Sequence, residues 1–196
     1  MAQIQYNKTA LLKINKDLSM RENALPVLRS KESALRAETR KVRLKIRELD
    51  QKYQQMIKTL VPIERLWVEF PNIVKIDKIN FKKKKIASLA VFIIEGIDFN
   101  TEVVSFFAYP SWVIQGVEII KKLLFLKIEL INEKKILDSV EYARRKTTQK
   151  VNLYQKVQIP FFEESIRKIK RFLEDQDNLS KSSQKVIKNR MEAALA

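Results

Sequence analysis

The sequence predicts a mainly α fold: a long antiparallel two-helix coiled-coil hairpin with a small β-hairpin inserted at its centre. Three observations carry this reading. The only two glycines, Gly96 and Gly116, lie in the middle of the 196 residues. Both flanks repeat apolar residues at helical spacing. Neither flank can bury so long a stripe by itself, so each needs a partner of similar length, and the middle of the chain can reverse its direction. The expected segments are a long helix over 1–61, an insert over 62–110, a second long helix over 111–178 and a basic, fraying tail over 179–196.

The first helix follows from two interleaved series of sevens. One is Leu11, Leu18, Leu25, Glu32, Thr39, Ile46, Tyr53 and Leu60. The other is Ile14, Arg21, Leu28, Leu35, Val42, Leu49 and Met56. Twelve of these fifteen positions are apolar in a chain that is 45% apolar, well above the composition. The offset of three is that of a and d positions along one seam, and a strict seven-residue repeat winds that seam left-handedly. A helix from Asn7 to Leu60 would be ~80 Å long, too long to bury its stripe inside a small globule. Pro26 lies inside it, where proline removes a hydrogen bond and clashes with the preceding turn at a cost of ~3 kcal/mol. The heptad phase runs through Leu25, Leu28 and Leu35 without a slip, which favours a kink over a break.

Pro62 and Pro71 bracket the aromatic stretch Leu66–Phe70 and open the insert. Ile86–Ile94 is apolar and partly β-branched, Glu95–Gly96–Ile97–Asp98 supplies turn chemistry, and Glu102–Tyr109 is apolar again. The expectation is a β-hairpin turning at Gly96, packed on the helices because an isolated hairpin is only marginally stable. The lysines Lys82–Lys85 beside the first run discourage edge-to-edge pairing. The second helix is expected to begin at Pro110–Ser111–Trp112 with Ser111 as its cap. Its seam starts at Leu123, Leu130 and Leu137 and continues as Val151, Tyr154, Phe162, Ile166, Ile169 and Leu173. Val151, Phe162 and Leu173 are eleven apart, so the winding relaxes towards straight there. Pro160 is a second interior proline. If Leu60 lies level with about Leu124, facing residues should have numbers adding to about 185. Leu11 would then lie near Leu173, and Leu35 near Val151.

Composition narrows the function. The chain has no His and no Cys, which removes the commonest general base, thiolate nucleophiles and thiolate metal sites. Two separated glycines cannot build a phosphate-cradling loop. Carboxylate pairs such as Glu163–Glu164 and Asp175–Asp177 fall on solvated helix faces. No catalytic, cofactor-binding or metal site is therefore assigned. The apolar run Ile86–Ile94 is far short of the ~20 residues that span a bilayer as a helix, and Met1–Leu18 is too charged for a secretory signal. A formal charge of +16 favours acidic partners. The basic runs Arg144–Lys146 and Arg167–Arg171 suit solvated faces, an acidic protein or nucleic acid alike.

One stretch adds a sharper signal. Arg144–Arg145–Lys146–Thr147–Thr148–Gln149–Lys150–Val151–Asn152–Leu153–Tyr154 is followed by Ile159–Pro160, then Glu163, Ile166, Ile169 and Leu173–Glu174. This resembles the D subunit of V/A-type rotary ATPases, in which a basic residue precedes Val-Asn, then Ile-Pro, then a spaced Ile/Leu stripe. Thr9, Leu12–Lys13, Leu18, Ala24, Val27–Leu28–Arg29, Lys31 and Leu35 are similar to the family's N-terminal pattern, which departs here at Glu32–Ser33 and at Pro26. The resemblance spans both helices; the insert matches in length and position. It implies that Pro160 lies within a continuous helix.

It also implies a non-catalytic central rotor shaft without a cofactor, cytoplasmic and peripheral to the membrane. ATP hydrolysis or synthesis in a ring of nucleotide-binding A and B subunits would be coupled to H⁺ or Na⁺ transport. The tip with both termini would sit inside the ring. The insert, with the small companion F subunit of the central stalk, would face the connector of the membrane rotor. Nucleic acid binding and direct membrane insertion are not implied. Lys8, Lys13, Lys16, Arg167, Lys168, Lys170 and Arg171 become the candidate ring contacts. The seam residues are Leu11, Leu18, Leu25, Leu28, Leu35, Val42, Val151, Tyr154, Phe162, Ile166, Ile169 and Leu173. Two other classes fit the composition: a basic structural coiled coil that binds nucleic acid, and a cytosolic tether.

Overall fold

The computed structural model describes residues 5–87, 89–101 and 110–195. Helix α1 runs unbroken over Lys8–Leu60, followed by a single 3₁₀ turn at Val61–Ile63 and the short helix α2, Glu64–Val68. Strands β1, Val74–Ile86, and β2, Leu89–Thr101, form a two-stranded antiparallel sheet. Helix α3, Ser111–Leu153, leads through a wide π turn, Tyr154–Gln158, into helix α4, Ile159–Leu195. The architecture is thus two long helical stretches with a β-hairpin between them in sequence.

Asn7 starts α1: its side-chain Oδ1 accepts the Ala10 backbone N–H at 2.6 Å, satisfying one of the free donors of the first turn. Pro26 lies inside α1 without interrupting it. Around Pro160 the backbone takes a different course. The Ile159 N–H donates to the carbonyl of Tyr154, five residues back. Proline has no N–H and its ring crowds the carbonyl four residues earlier, here Lys156. Widening the preceding turn relieves that crowding and lets the helix continue. The π turn falls within the eleven-residue spacing from Val151 to Phe162.

Three expectations are corrected. The hairpin turns between Ile86 and Leu89, with Ala87 in the turn, not at Gly96. Gly96 lies within β2 opposite Asn80, beside the register shift between Asn80 and Phe81, a place where strand glycines recur. Lys82–Lys85 are therefore strand residues, and the expected second strand, Glu102–Tyr109, lies outside the described residues. Ser111 is the first helical residue, not a side-chain cap, with the Val113 N–H donating to the Pro110 carbonyl. The last helix continues past residue 178 to Leu195, with its described side chains there exposed.

The chain divides into two compact units. One joins the residues up to Ser30 with those from Lys146 onward; the other is Lys31–Arg145. In the first, α1 and α4 run antiparallel. Tyr6 packs on Phe172 with ring centroids 5.2 Å apart, and Arg21 reaches Gln158 and Phe162. In the second, Arg43 bonds Glu141, Lys45 bonds Glu133 at 2.7 Å, and Lys127 stands 4.9 Å over the Tyr53 ring. Partners across each pair have numbers adding to between 174 and 184, just below the expected 185. The offset arises because Lys127 opposite Tyr53 puts the level of Leu60 nearer residue 120 than 124.

The core of the second unit is Leu35, Val42, Val91, Ile136 and Val140, with Ile46, Ile86, Leu89 and Ile93 packed around it. The hairpin thus lies on the helices through one strand face. Asn132 secures it, donating from Nδ2 to the Phe92 carbonyl at 2.9 Å. Near the insert, Trp67, Phe70 and Trp112 stack in series at 5.5 and 6.0 Å. Gly116 makes room for this cluster, since a Cβ there would lie 2.6 Å from Phe70 Cε2.

Candidate interaction surface

Among the described residues no three His, Cys, Asp or Glu side chains gather where a metal ion could be held, and no helix is long and apolar enough to cross a membrane. The sequence-selected cations Lys8, Lys13, Lys16, Arg167, Lys168, Lys170 and Arg171 are all exposed. Lys168 pairs with Glu164 at 2.8 Å, one turn earlier on the same helix. That hydrogen bond raises the lysine and lowers the carboxylate from their ordinary pKa values. Exposed pairs of this kind contribute little to stability and exchange readily for other partners.

The seam lies beneath this layer. Leu35 and Ile169 are fully buried, and Val42 and Val151 nearly so. Leu11, Leu18, Leu25, Leu28, Tyr154, Phe162, Ile166 and Leu173 are half-buried. Polar residues occupy several seam positions, each bonded locally. Thr39 Oγ1 donates to the Leu35 carbonyl at 2.8 Å, and Ser165 Oγ to the Phe161 carbonyl at 2.6 Å. These bonds let small hydroxyls stand inside a helix contact without an unmet donor. Arg21 does more. Its Nε donates to Gln158 Oε1 at 2.8 Å, its Nη1 to the Asp17 carbonyl at 2.7 Å, and its guanidinium lies 4.6 Å above the Phe162 ring. It therefore ties α1 to the last residue of the π turn.

In the second unit the polar contacts lie where the hairpin meets the helices. A cleft of about 280 Å³ is lined by Glu38, Glu129 and Glu133 together with Lys41, Lys45 and Lys84. Lys45 bridges Glu129 and Glu133, one turn apart on α3, at 3.0 and 2.7 Å. Burial by itself lowers the Lys45 pKa, but hydrogen bonds and charge from both glutamates overcome it and raise the ammonium above 10.5. Glu141 accepts from Arg43, which holds its carboxyl below the ordinary 4.5 against a smaller opposing effect of burial, and Arg145 adds to the lowering. With three carboxylates against three exposed ammonium groups, the cleft is charge-balanced, and Lys45 bridges α1 to α3 within it.

Sequence reasoning placed Arg21 and Thr39 on the seam but did not anticipate Glu133, Ser165 or the π turn. Arg21 and Thr39 sit at heptad positions and mark themselves as exceptions; Glu133 and Ser165 carry no comparable signal. The π turn is foreshadowed only by the coincidence of eleven-residue spacing with Pro160.

Two comparisons bear on the whole chain. The family of ATP synthase D subunits matches residues 10–189. The V-type ATP synthase D subunit of Borreliella burgdorferi is 30% identical over 192 residues, covering 96% of this chain and 95% of that protein.

Proposed function

We propose that this chain, which belongs to the family of ATP synthase D subunits, is the non-catalytic central rotor shaft of a V/A-type ATPase. It couples ATP hydrolysis or synthesis in a ring of A and B subunits to H⁺ or Na⁺ transport. The terminal segments of α1 and α4 stand inside the ring. The insert, joined by the small companion F subunit, faces the connector of the membrane rotor. The shaft works at the cytoplasmic side, peripheral to the membrane.

The observation that supports this reading best is the continuity of the helices. Helix α1 passes Pro26 without interruption, and the chain passes Pro160 through a widened turn in place of a loop. A torque-bearing element needs such continuity, and it needs side chains that make different contacts at each ring position. Only differential contact can bias one nucleotide site over another. Exposed cations such as Lys8, Lys13, Lys16 and Arg167 suit acidic ring surfaces through weak, exchangeable contacts.

Hydrogen exchange on the free chain and on the chain assembled with purified A and B subunits tests the polarity. Binding to the folded form alone stabilises what it covers. Lys8–Leu28 and Phe162–Asn178 should exchange quickly in the free chain and slowly in the assembly, with the insert unchanged. Protection confined to the insert would reverse the polarity. No response to any ATPase component would leave the nucleic-acid-binding coiled coil as the better reading.

A further inference from the structure

The two sides of the α1–α4 pair are chemically unequal. Met20, Val27, Leu153, Val157 and Phe161 are all exposed, Val27 at 69%, Met20 at 58% and Val157 at 57%. Each immediately precedes a half-buried residue of the helix contact: Arg21, Leu28, Tyr154, Gln158 and Phe162. One residue earlier means about 100° back around a helix. Because the two helices run antiparallel, that rotation carries both sets to the same side of the pair, as equivalent flanking positions do in antiparallel coiled coils. The cross-contacts of Arg21 with Gln158 and Phe162 put Met20 level with Val157 and Phe161. Five apolar side chains therefore form one patch around the π turn.

The opposite side is built from the residues that follow the contact positions. Ser19, Glu22, Arg29, Asn152, Gln155 and Glu163 are polar and exposed; Leu12, Pro26 and the half-buried Ile159 are apolar exceptions. On the apolar side, Lys13, Asp17 and Lys150 occupy the same preceding position beyond the ends of the patch; the two lysines are exposed, and the half-buried Asp17 is paired with Arg21 at 3.5 Å. Solvent-facing coiled-coil flanks are ordinarily charged, so a run of five apolar residues on one flank marks a contact surface.

We propose that this apolar flank is the side on which the shaft bears against the ring, and that its occupant is a ring-subunit segment presenting apolar side chains bordered by carboxylates. The proposal rests on the rotor reading above and adds to it a direction: one side of the helix pair grips and the other slides. The acidic border follows from charge complementarity with Lys13 and Lys150 and with a chain of net charge +16. The patch also depends on the π turn. A plain α-helical turn would rotate Leu153 relative to Phe161 and break the line of the flank.

The test uses the full chain and a ring assembled from purified A and B subunits. Met20→Gln/Val157→Gln changes only exposed positions, and unchanged far-UV circular dichroism confirms folding. It should weaken ring binding at least about tenfold, as expected for losing two desolvated apolar contacts. Ser19→Ala/Gln155→Ala, on the opposite side, should change binding less than about twofold, within 0.5 kcal/mol. Lys13→Gln/Lys150→Gln should flatten the salt dependence. A wild-type chain that binds the ring alongside an unweakened Met20→Gln/Val157→Gln variant overturns the patch alone. A wild-type chain that never binds the ring overturns the rotor reading and the patch with it. A wild-type homodimer that this variant turns into a monomer assigns the flank to a second copy and also overturns the proposal.

Discussion

Leu35→Ala is the most informative single perturbation of the fold. Leu35 is fully buried and packs with Val42, Val91, Ile136 and Val140, so it joins α1, β2 and α3 at one point. Removing three carbon atoms forfeits ~2.4 kcal/mol at ~0.8 kcal/mol per methylene-sized group. The space left behind adds a cavity cost, because two helices and a strand held at fixed register cannot fully collapse onto it. The total should be about 3–4 kcal/mol, inside the range of about 2–5 found for such truncations. For a chain of this length that is a fall in Tm of roughly 6–16 °C, at about 2–4 °C per kcal/mol. Urea and thermal unfolding followed by circular dichroism measure it. The control is Leu12→Ala, since Leu12 is 71% exposed on the same helix and should change stability by less than about 0.5 kcal/mol. A cost below about 1 kcal/mol at Leu35, or an equal cost at Leu12, would refute the assignment of the helix contact.

Three further outcomes follow from particular contacts. Gly116→Ala gains ~1 kcal/mol of helix propensity, but its Cβ would meet Phe70 at 2.6 Å and Trp67 at 3.4 Å. Overpacking of about 1–3 kcal/mol should win, so calorimetry should show net destabilisation, whereas Gly96→Ala, with open space around it, should not be limited by a clash. Ala87 turns the hairpin at a φ of +46°, so Ala87→Gly should stabilise the chain by up to ~1 kcal/mol; a loss in urea unfolding would contradict that strain. Glu141 has a lowered pKa in the fold, so its stabilising contribution is present above pH 4.5 and fades as pH falls through the lower folded value. Glu141→Gln should therefore differ from wild type by up to about 1 kcal/mol near neutrality and converge with it in acid, as read from unfolding at a series of pH values.

The parts of the fold that repeat were legible in the sequence. Leu35, Val42, Val151 and Ile169 announce themselves by period, and the period follows directly from helix geometry. The hairpin does not repeat, and there glycine is the strongest local signal. Turns favour glycine, which points to Gly96, yet in the fold Gly96 accompanies a strand irregularity while Ala87 accepts the unfavourable backbone angle. Local composition could not decide this, since β1 carries Lys75, Lys78 and Lys82–Lys85 and reads as a charged loop. Its pairing with the apolar residues of β2 turns it into a strand. The π turn at Tyr154–Gln158 was equally hidden, because a proline and an eleven-residue spacing each admit several backbone solutions. The cations of the candidate surface were visible as charges. The one-sidedness of Met20, Val27, Leu153, Val157 and Phe161 needed the register between two helices, which no single stretch of sequence contains.

Direct observation of rotation tests the central claim most sharply. The chain contains no cysteine, so Lys83→Cys on the exposed β1 strand gives a single attachment point for a bead. With the ring of A and B subunits fixed to a surface and the chain assembled in it, adding ATP should turn the bead continuously in one sense. Removing ATP should stop it. A ring that hydrolyses ATP with this chain firmly bound, while the bead stays still, would contradict the rotor account.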